Sequence, residues 1–159
     1  MSGARVGPCE VGLTSIDFYF NAGDRLEVAC RLAGKALQQK KRVLIYAPQA
    51  ETAQRLDRLL WTAQAVSFIP HCMAQDPLAA DTPVLIATGD EAPALSPSWA
   101  CEVLLNLSAD HPPFFERHER LLEIVAQEEE QLLAGRARFK YYRERGYEIQ
   151  SHDLAKAGA

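Results

Sequence analysis

The feature that most constrains the fold is a set of four short segments, several of them continuously apolar. They are Ser15 to Phe20, Arg42 to Ala47, Val84 to Thr88 and Val103 to Leu107, and Gly, Pro, Asp or Asn residues bound them. A strand with one face in water alternates apolar and polar residues, whereas an unbroken apolar run is typical of a strand covered on both faces. The segments therefore predict a mostly parallel sheet flanked by helices, in the α/β class.

The first connection has the pattern of a helix that packs by one face. Its apolar residues recur at helical spacing: Leu26, Ala29, Ala33 and Leu37. Asp24 precedes them as a candidate N-cap, and the basic pair Lys40-Lys41 suits the C-terminal end of the helix dipole. This segment and its two flanking strands predict a βαβ unit.

A second helix is predicted after Pro48, where Ala53, Leu56 and Leu60 share a face, and it should finish near Trp61. The stretches Cys72 to Pro83 and Glu91 to Trp99 contain several prolines and Asp-Pro turn signals. We therefore interpret both stretches as connections without regular structure.

The C-terminal third predicts two helices and two strands. A short helix around Pro113 to Leu121 is followed by a strand over Leu122 to Ala126. A long helix should run from about Glu128 to Arg145 and end at Gly146, because glycine is the residue that most often terminates a helix. Tyr147 to Ser151 is predicted as a last short strand.

The size of the chain predicts one domain. Its 159 residues are 48% hydrophobic, enough for a single core, which we place at 14–153 between an N-terminal extension, 1–13, and a tail, 154–159. The longest apolar runs are far shorter than the roughly 20 residues that span a bilayer. Met1 to Leu13 lacks the apolar middle region of a secretory signal, so we expect a cytoplasmic protein.

Residues that could support catalysis or hold a cofactor do not form a recognised motif. The first strand is followed by Asn21-Ala22-Gly23-Asp24, whose single glycine cannot make a phosphate-binding loop. His71 and Cys72 are adjacent, so an extended backbone points them to opposite faces. The spacing of Asp110, His111 and His118 matches no common metal site, and the four cysteines contain no C-x-x-C pair. We expect no catalytic residue, metal or cofactor, and keep a small nucleotide-binding enzyme as the alternative.

The predicted long helix carries a basic stripe. Arg136, Lys140 and Arg143 fall at i, i+4 and i+7, and Leu132, Leu133 and Phe139 border them. Cations beside apolar groups suit an acidic peptide that ends in an aromatic residue. A solvated helix edge whose aromatic residues enter the core is the alternative reading of the same pattern.

Direct binding of single-stranded DNA is a second alternative for this helix. It would use five cations and two stacking rings: Arg136, Arg138, Lys140, Arg143, Arg145, Tyr141 and Tyr142. With 17 basic and 21 acidic residues the chain has a net charge of −4, which disfavours a nucleic-acid binder.

A second group of large apolar residues follows the second predicted helix. Its members are Trp61, Val66, Phe68, Ile69 and Pro70. Such a group is either part of the core or a surface for a partner protein, and the sequence leaves both possibilities open.

Four segments together resemble the chi subunit of bacterial DNA polymerase III. They are Lys41-Arg42-Val43-Leu44-Ile45-Tyr46-Ala47, then Ala53-Gln54-Arg55-Leu56-Asp57-x-x-Leu60-Trp61, then Ser67-Phe68-Ile69-Pro70-His71, and finally Arg136-x-Arg138-Phe139-Lys140-x-Tyr142-Arg143-x-x-Gly146-Tyr147. The resemblance runs in order from about Ile16 to Asp153. It implies a Rossmann-like three-layer fold and a non-catalytic accessory subunit of the clamp-loader assembly in DNA replication.

The resemblance also implies two binding surfaces. The acidic C-terminal tail of the single-stranded-DNA-binding protein, which ends in phenylalanine, would bind at Val125, Arg136, Phe139 and Lys140, to which the basic stripe adds Arg143. The psi subunit, or a chi-associated helicase, would bind at Trp61, Phe68 and Pro70. Two features depart from the family: residues 1–13 have no counterpart, and Phe139 stands where better-known relatives have a tyrosine-type hydroxyl.

Overall fold

The computed structural model describes residues 14–62, 70–73, 82–88, 102–112, 115 and 118–154. These residues form one seven-stranded sheet and three helices. The strands are β1 (Ser15–Ala22), β2 (Val43–Tyr46), β3 (His71–Met73), β4 (Val84–Ala87), β5 (Val103–Asn106), β6 (Arg120–Ala126) and β7 (Ile149–Asp153); the helices are α1 (Arg25–Gln38), α2 (Ala50–Thr62) and α3 (Glu129–Glu144). The order across the sheet is β3-β4-β2-β5-β6-β1-β7, and all neighbouring strands are parallel. The prediction of a three-layer, Rossmann-like α/β fold is confirmed.

Each face of the sheet has its own apolar core. On one face, α1 and α2 pack with strand residues such as Ile45, Ile86 and Leu105. On the other face, α3 packs with Leu44 and Leu104, among others. Because successive residues of a strand point to opposite faces, a strand between two helical layers has to be apolar at every position. This is the physical reason for the continuous apolar runs in the sequence.

Local signals in the sequence place the helix ends correctly. Asp24 caps α1, and its carboxylate accepts hydrogen bonds from the backbone N–H of Leu26, at 3.0 Å, and of Glu27, at 3.4 Å. Gly146 follows α3 with φ at +87°, a left-handed conformation that glycine adopts without steric cost. The predicted N-cap and the predicted C-terminal stop are therefore both confirmed.

Three predicted boundaries are wrong. The last strand, β7, runs over Ile149–Asp153 and not over Tyr147 to Ser151. Strand β6 begins at Arg120 instead of Leu122, because Leu121 pairs with Ile16 of β1 and both side chains are buried in the α3 layer. Cys72 was predicted to lie in a connection, but it belongs to β3 and pairs with Leu85. Three residues are too short a segment for periodicity to identify as a strand.

Several predictions fall on parts of the chain outside the described residues. They are the extension at 1–13, most of the two proline-containing connections, much of the short helix predicted before β6, and residues 155–159 of the predicted tail. Leu154, the last described residue, donates its backbone N–H to the carbonyl of Phe20 at 3.0 Å. No helix among the described residues is long and apolar enough to cross a membrane.

Candidate functional site

Helix α3 approaches the sheet closely at Gly135. This glycine is buried, and a Cβ atom placed on it would lie 2.8 Å from Cγ2 and 3.1 Å from Cγ1 of Val125 on β6. Real Cβ atoms essentially never come within 3.0 Å of a neighbour, so only glycine fits here without a shift. The contact sets the distance between α3 and the strand beneath it.

A buried polar network holds the inner face of α3. Glu123 of β6 accepts hydrogen bonds from Arg138 Nε at 2.7 Å and from the Tyr142 hydroxyl at 2.5 Å. The side-chain amide of Asn106 on β5 donates to both carboxylate oxygens, at 3.1 and 3.0 Å. Burial raises the pKa of Glu123, and the Arg138 guanidinium opposes that rise. Because each of these groups has a specific partner, the network fixes the rotation of α3 about its axis.

The outer flank of α3 forms a groove of about 520 Å³, lined by Arg136, Phe139, Lys140, Arg143 and Glu144. The Phe139 ring is partly buried, and its centroid lies 5.2 Å from that of Phe18 on β1. The three basic side chains are exposed around this ring. We call this surface the α3 groove.

Four of the five residues predicted to bind the tail line the α3 groove: Arg136, Phe139, Lys140 and Arg143. Val125 lies elsewhere, because it is 4% exposed, contacts α3 at Gly135 and packs in the apolar core that also holds Phe139. Glu144 was not identified from the sequence. Its position four residues after Lys140 was the available signal, since such pairs share a helix face.

The α3 groove can bind an anionic ligand with an apolar part. Guanidinium groups bind carboxylates in a bidentate manner, and the exposed part of the Phe139 ring can pack against another ring. Among the described residues that line the groove, Glu144 alone is negatively charged, and its Oε2 lies 4.0 Å from Lys140 Nζ. The described lining residues therefore carry three positive charges and one negative charge.

The residues proposed for direct DNA binding are not all available. Arg138 and Tyr142 are buried and bonded to Glu123. The Tyr141 ring stacks on His111 with the ring centroids 3.8 Å apart, and the Arg145 guanidinium carbon lies 4.3 Å from the Tyr141 centroid, so two side chains already pack on this ring. Tyr142 is therefore unavailable for stacking, and a base would have to displace the existing contacts of Tyr141, which argues against the single-stranded-DNA alternative.

The second predicted surface is described in part. Trp61, near the end of α2, is 56% exposed, and Pro70 is exposed as well. The Trp61 ring packs edge-on against His71 at 5.3 Å, and His71 Nε2 lies 2.9 Å from an Asp57 oxygen. Phe68 lies outside the described residues. For Trp61, the alternative of burial in the core is wrong.

Possible catalytic and metal-binding groups are also placed by the structure. The buried His71 side chain pairs with Asp57 of α2, whereas Cys72 packs in the core of the opposite face, so the two do not act together. Among the described residues, no group of three His, Cys, Asp or Glu side chains could hold a metal ion.

The fold is similar to that of a solved structure with little sequence in common. It matches S. cerevisiae Dbp5 bound to RNA and ADP BeF3 with a TM-score of 0.59 and 12% sequence identity, over 96% of this chain and 45% of that one. The chain thus spans less than half of that structure, and at this level of identity the likeness shows the fold alone.

The sequence itself identifies the family. Residues 13–150 match the family described as DNA polymerase III chi subunit, HolC. The DNA polymerase III subunit chi of Pseudomonas aeruginosa is 34% identical over 148 residues, which cover 91% of this chain and 99% of that relative. The subunit chi of Escherichia coli is 29% identical over 125 residues, which cover 79% and 82% of the two chains. The chain therefore belongs to the DNA polymerase III chi subunit family.

Proposed function

We propose that the α3 groove binds the acidic, phenylalanine-ending C-terminal tail of the single-stranded-DNA-binding protein. The protein would thereby tether the clamp-loader assembly to DNA covered by that binding protein, with no catalytic role of its own. The observation that carries the proposal is the composition of the groove, in which Arg136, Lys140 and Arg143 surround the Phe139 ring. Membership of a replication subunit family supports it.

In the proposed complex, Arg136 binds the terminal carboxylate of the tail because a guanidinium can hold both carboxylate oxygens. Lys140 and Arg143 attract the aspartates of the tail, and the terminal phenylalanine ring packs on Phe139. Val125 acts from beneath the groove, through the apolar core that it shares with Phe139. Phe139 has no hydroxyl that could donate a hydrogen bond to the peptide. Compared with a tyrosine at this position, the missing hydrogen bond lowers the binding free energy by about 1 kcal/mol.

The proposed affinity is modest. All three cations are exposed: an ordinary exposed charge pair, as at Lys140 or Arg143, contributes about 0.2 to 1 kcal/mol, and the bidentate contact of Arg136 contributes about 1.5 kcal/mol. One tail should therefore bind in the micromolar range, with burial of the terminal phenylalanine ring adding about 1.5 to 3 kcal/mol to the charge pairs. Several tails on one oligomer of the binding protein would raise the effective strength. Salt should weaken the complex, because exposed charges are screened.

The proposal is tested by fluorescence-anisotropy titration with a labelled peptide that copies the acidic tail, beside the same peptide without its terminal phenylalanine. We expect micromolar binding that the truncation abolishes. Arg136→Ala should weaken binding about tenfold, the effect of one charge-assisted bidentate contact. The matched control is Arg31→Ala, which removes an exposed arginine from α1 on the opposite face of the sheet.

Two results would contradict the proposal. One is the absence of binding by the full-length peptide. The other is an equal loss of affinity in Arg136→Ala and Arg31→Ala, which would indicate a general effect of net charge.

The nucleotide-binding alternative is tested with the same protein. A mononucleotide that stabilises the protein against thermal unfolding would support that alternative.

The exposed Trp61 supports a second proposed surface. A large aromatic ring with more than half of its surface in water is a common anchor of protein interfaces. With Pro70 beside β3, and with Phe68, we propose that Trp61 binds the psi subunit or a chi-associated helicase. This surface lies at α2 and the groove lies on α3, across the sheet from each other.

A further inference from the structure

Glu144 is an unexpected residue in the α3 groove. It is the only described groove residue that carries a carboxylate, and it lies in the last turn of α3. A negative charge at a helix C-terminus opposes the helix dipole, and an i,i+4 pair with the acid C-terminal to the lysine is the weaker of the two orders. The pair of Lys140 and Glu144 therefore does little for helix stability. Its place inside a cationic groove suggests a role in binding.

We propose that Glu144 is an internal competitor for the carboxylates of the ligand. It occupies Lys140 in the free protein, and an acidic peptide has to displace it. Glu144 would thereby narrow the difference in affinity between peptides with several carboxylates and peptides with only one. This inference rests on the proposed binding of an acidic tail and names the residue that limits the selectivity of the groove for multiply acidic peptides.

The three cations of the groove differ in availability. Lys140 Nζ lies 4.0 Å from Glu144, whereas neither Arg136 nor Arg143 forms an ion pair with any side chain in the described part of the chain. A first carboxylate can therefore bind at an arginine without displacing anything. Further carboxylates reach Lys140 only by exchange with Glu144, so they gain less than they would at a free lysine.

The exchange is easy because both side chains are in water. Those of Lys140 and Glu144 are 77% and 67% exposed. An exposed i,i+4 pair shifts an equilibrium about twofold. Glu144 should therefore reduce the affinity for a fully acidic peptide about twofold at low salt, and less as salt screens the charges.

The experiment uses the full chain, Glu144→Gln, Lys140→Gln and the double variant, titrated by anisotropy at low salt. The probes are the acidic, phenylalanine-ending peptide and its analogue with every aspartate replaced by asparagine, which keeps the terminal carboxylate. The matched control is Glu51→Gln, which removes an exposed carboxylate from α2 on the other side of the sheet.

We expect Glu144→Gln to bind the acidic peptide about twofold more tightly than the unchanged protein. The gain should vanish for the asparagine analogue and in the Lys140→Gln background, because competition requires both the extra carboxylates and the lysine. Glu51→Gln should show no gain. A gain of the same size for both peptides, or in both backgrounds, would overturn the competitor role and indicate net charge alone.

The two proposals fail in different ways. If the unchanged protein does not bind the acidic peptide, the tail-binding function is wrong and the role of Glu144 falls with it. If the unchanged protein binds but Glu144→Gln leaves the affinity unaltered, the tail-binding function stands and only the competitor role is refuted. Circular dichroism of the variants verifies that α3 remains folded.

Discussion

Gly135→Ala tests whether the close approach of α3 to β6 is required. Alanine at an ordinary helix position is about 1 kcal/mol more stable than glycine. At residue 135, however, the new Cβ would lie 2.8 Å from Val125 Cγ2, and Val125 is 4% exposed and cannot rotate into water. Overpacking of this kind costs about 1–3 kcal/mol. We therefore expect Gly135→Ala to lower the free energy of unfolding by about 1 kcal/mol, whereas helix propensity alone would raise it.

The assay is equilibrium unfolding in urea, with two further variants. Ala137→Gly, at an exposed position of the same helix, measures the propensity difference in α3. Val125→Ala removes both Cγ atoms and leaves only the Cβ, at the ordinary distance of 3.5 Å. In that background Gly135→Ala should stabilise the protein by about 1 kcal/mol. If Gly135→Ala stabilises equally in the unchanged protein and in the Val125→Ala background, the close contact has no energetic effect and the reasoning is refuted.

Two further predictions concern the buried network and the second surface. Burial raises the pKa of Glu123 in the folded protein, so folding favours the protonated side chain. The stabilisation that results is fully present below the unfolded pKa of about 4.3, and it is lost as the pH rises through the folded pKa. In urea unfolding between pH 4 and pH 8, the stability of the unchanged protein relative to Glu123→Gln should therefore fall as pH rises; a difference that grows with pH would contradict this sign. Trp61→Ala should abolish co-purification with the psi subunit or the helicase, while binding of the tail peptide stays within experimental error, since α2 and α3 lie on opposite faces of the sheet. Loss of tail binding in Trp61→Ala would show that the two surfaces are not independent.

Much of the architecture follows from local signals in the sequence. The continuous apolar runs identify β2, β4 and β5 and require a helical layer on each face of the sheet. Asp24 lies one residue before α1 and Gly146 two residues after α3, so both mark a helix end closely, because capping depends only on neighbouring backbone groups. The short strand β3 and the first residues of β6 were missed, since their identity as strands depends on pairing with distant residues.

The basic stripe was also readable from the sequence, because residues at i, i+4 and i+7 share a helix face in any context. Tertiary structure alone decided which charged residues of α3 are exposed. Arg138 lies among the other cations in the sequence, yet it is buried, since it pairs with Glu123 on a strand 15 residues earlier. The same contacts bury Tyr142 and place Val125 beneath Gly135.

The sequence by itself thus determined the fold class, the helix that bears the candidate site and the residue types on its outer flank. Strand order, the exposure of Trp61 and the rotation of α3 about its axis were decided only by the tertiary structure. The physical reason is that periodicity relates residues within one element, whereas burial depends on which elements meet. For α3, which carries charged residues around most of its circumference, the buried partner on β6 selects the face that turns inward.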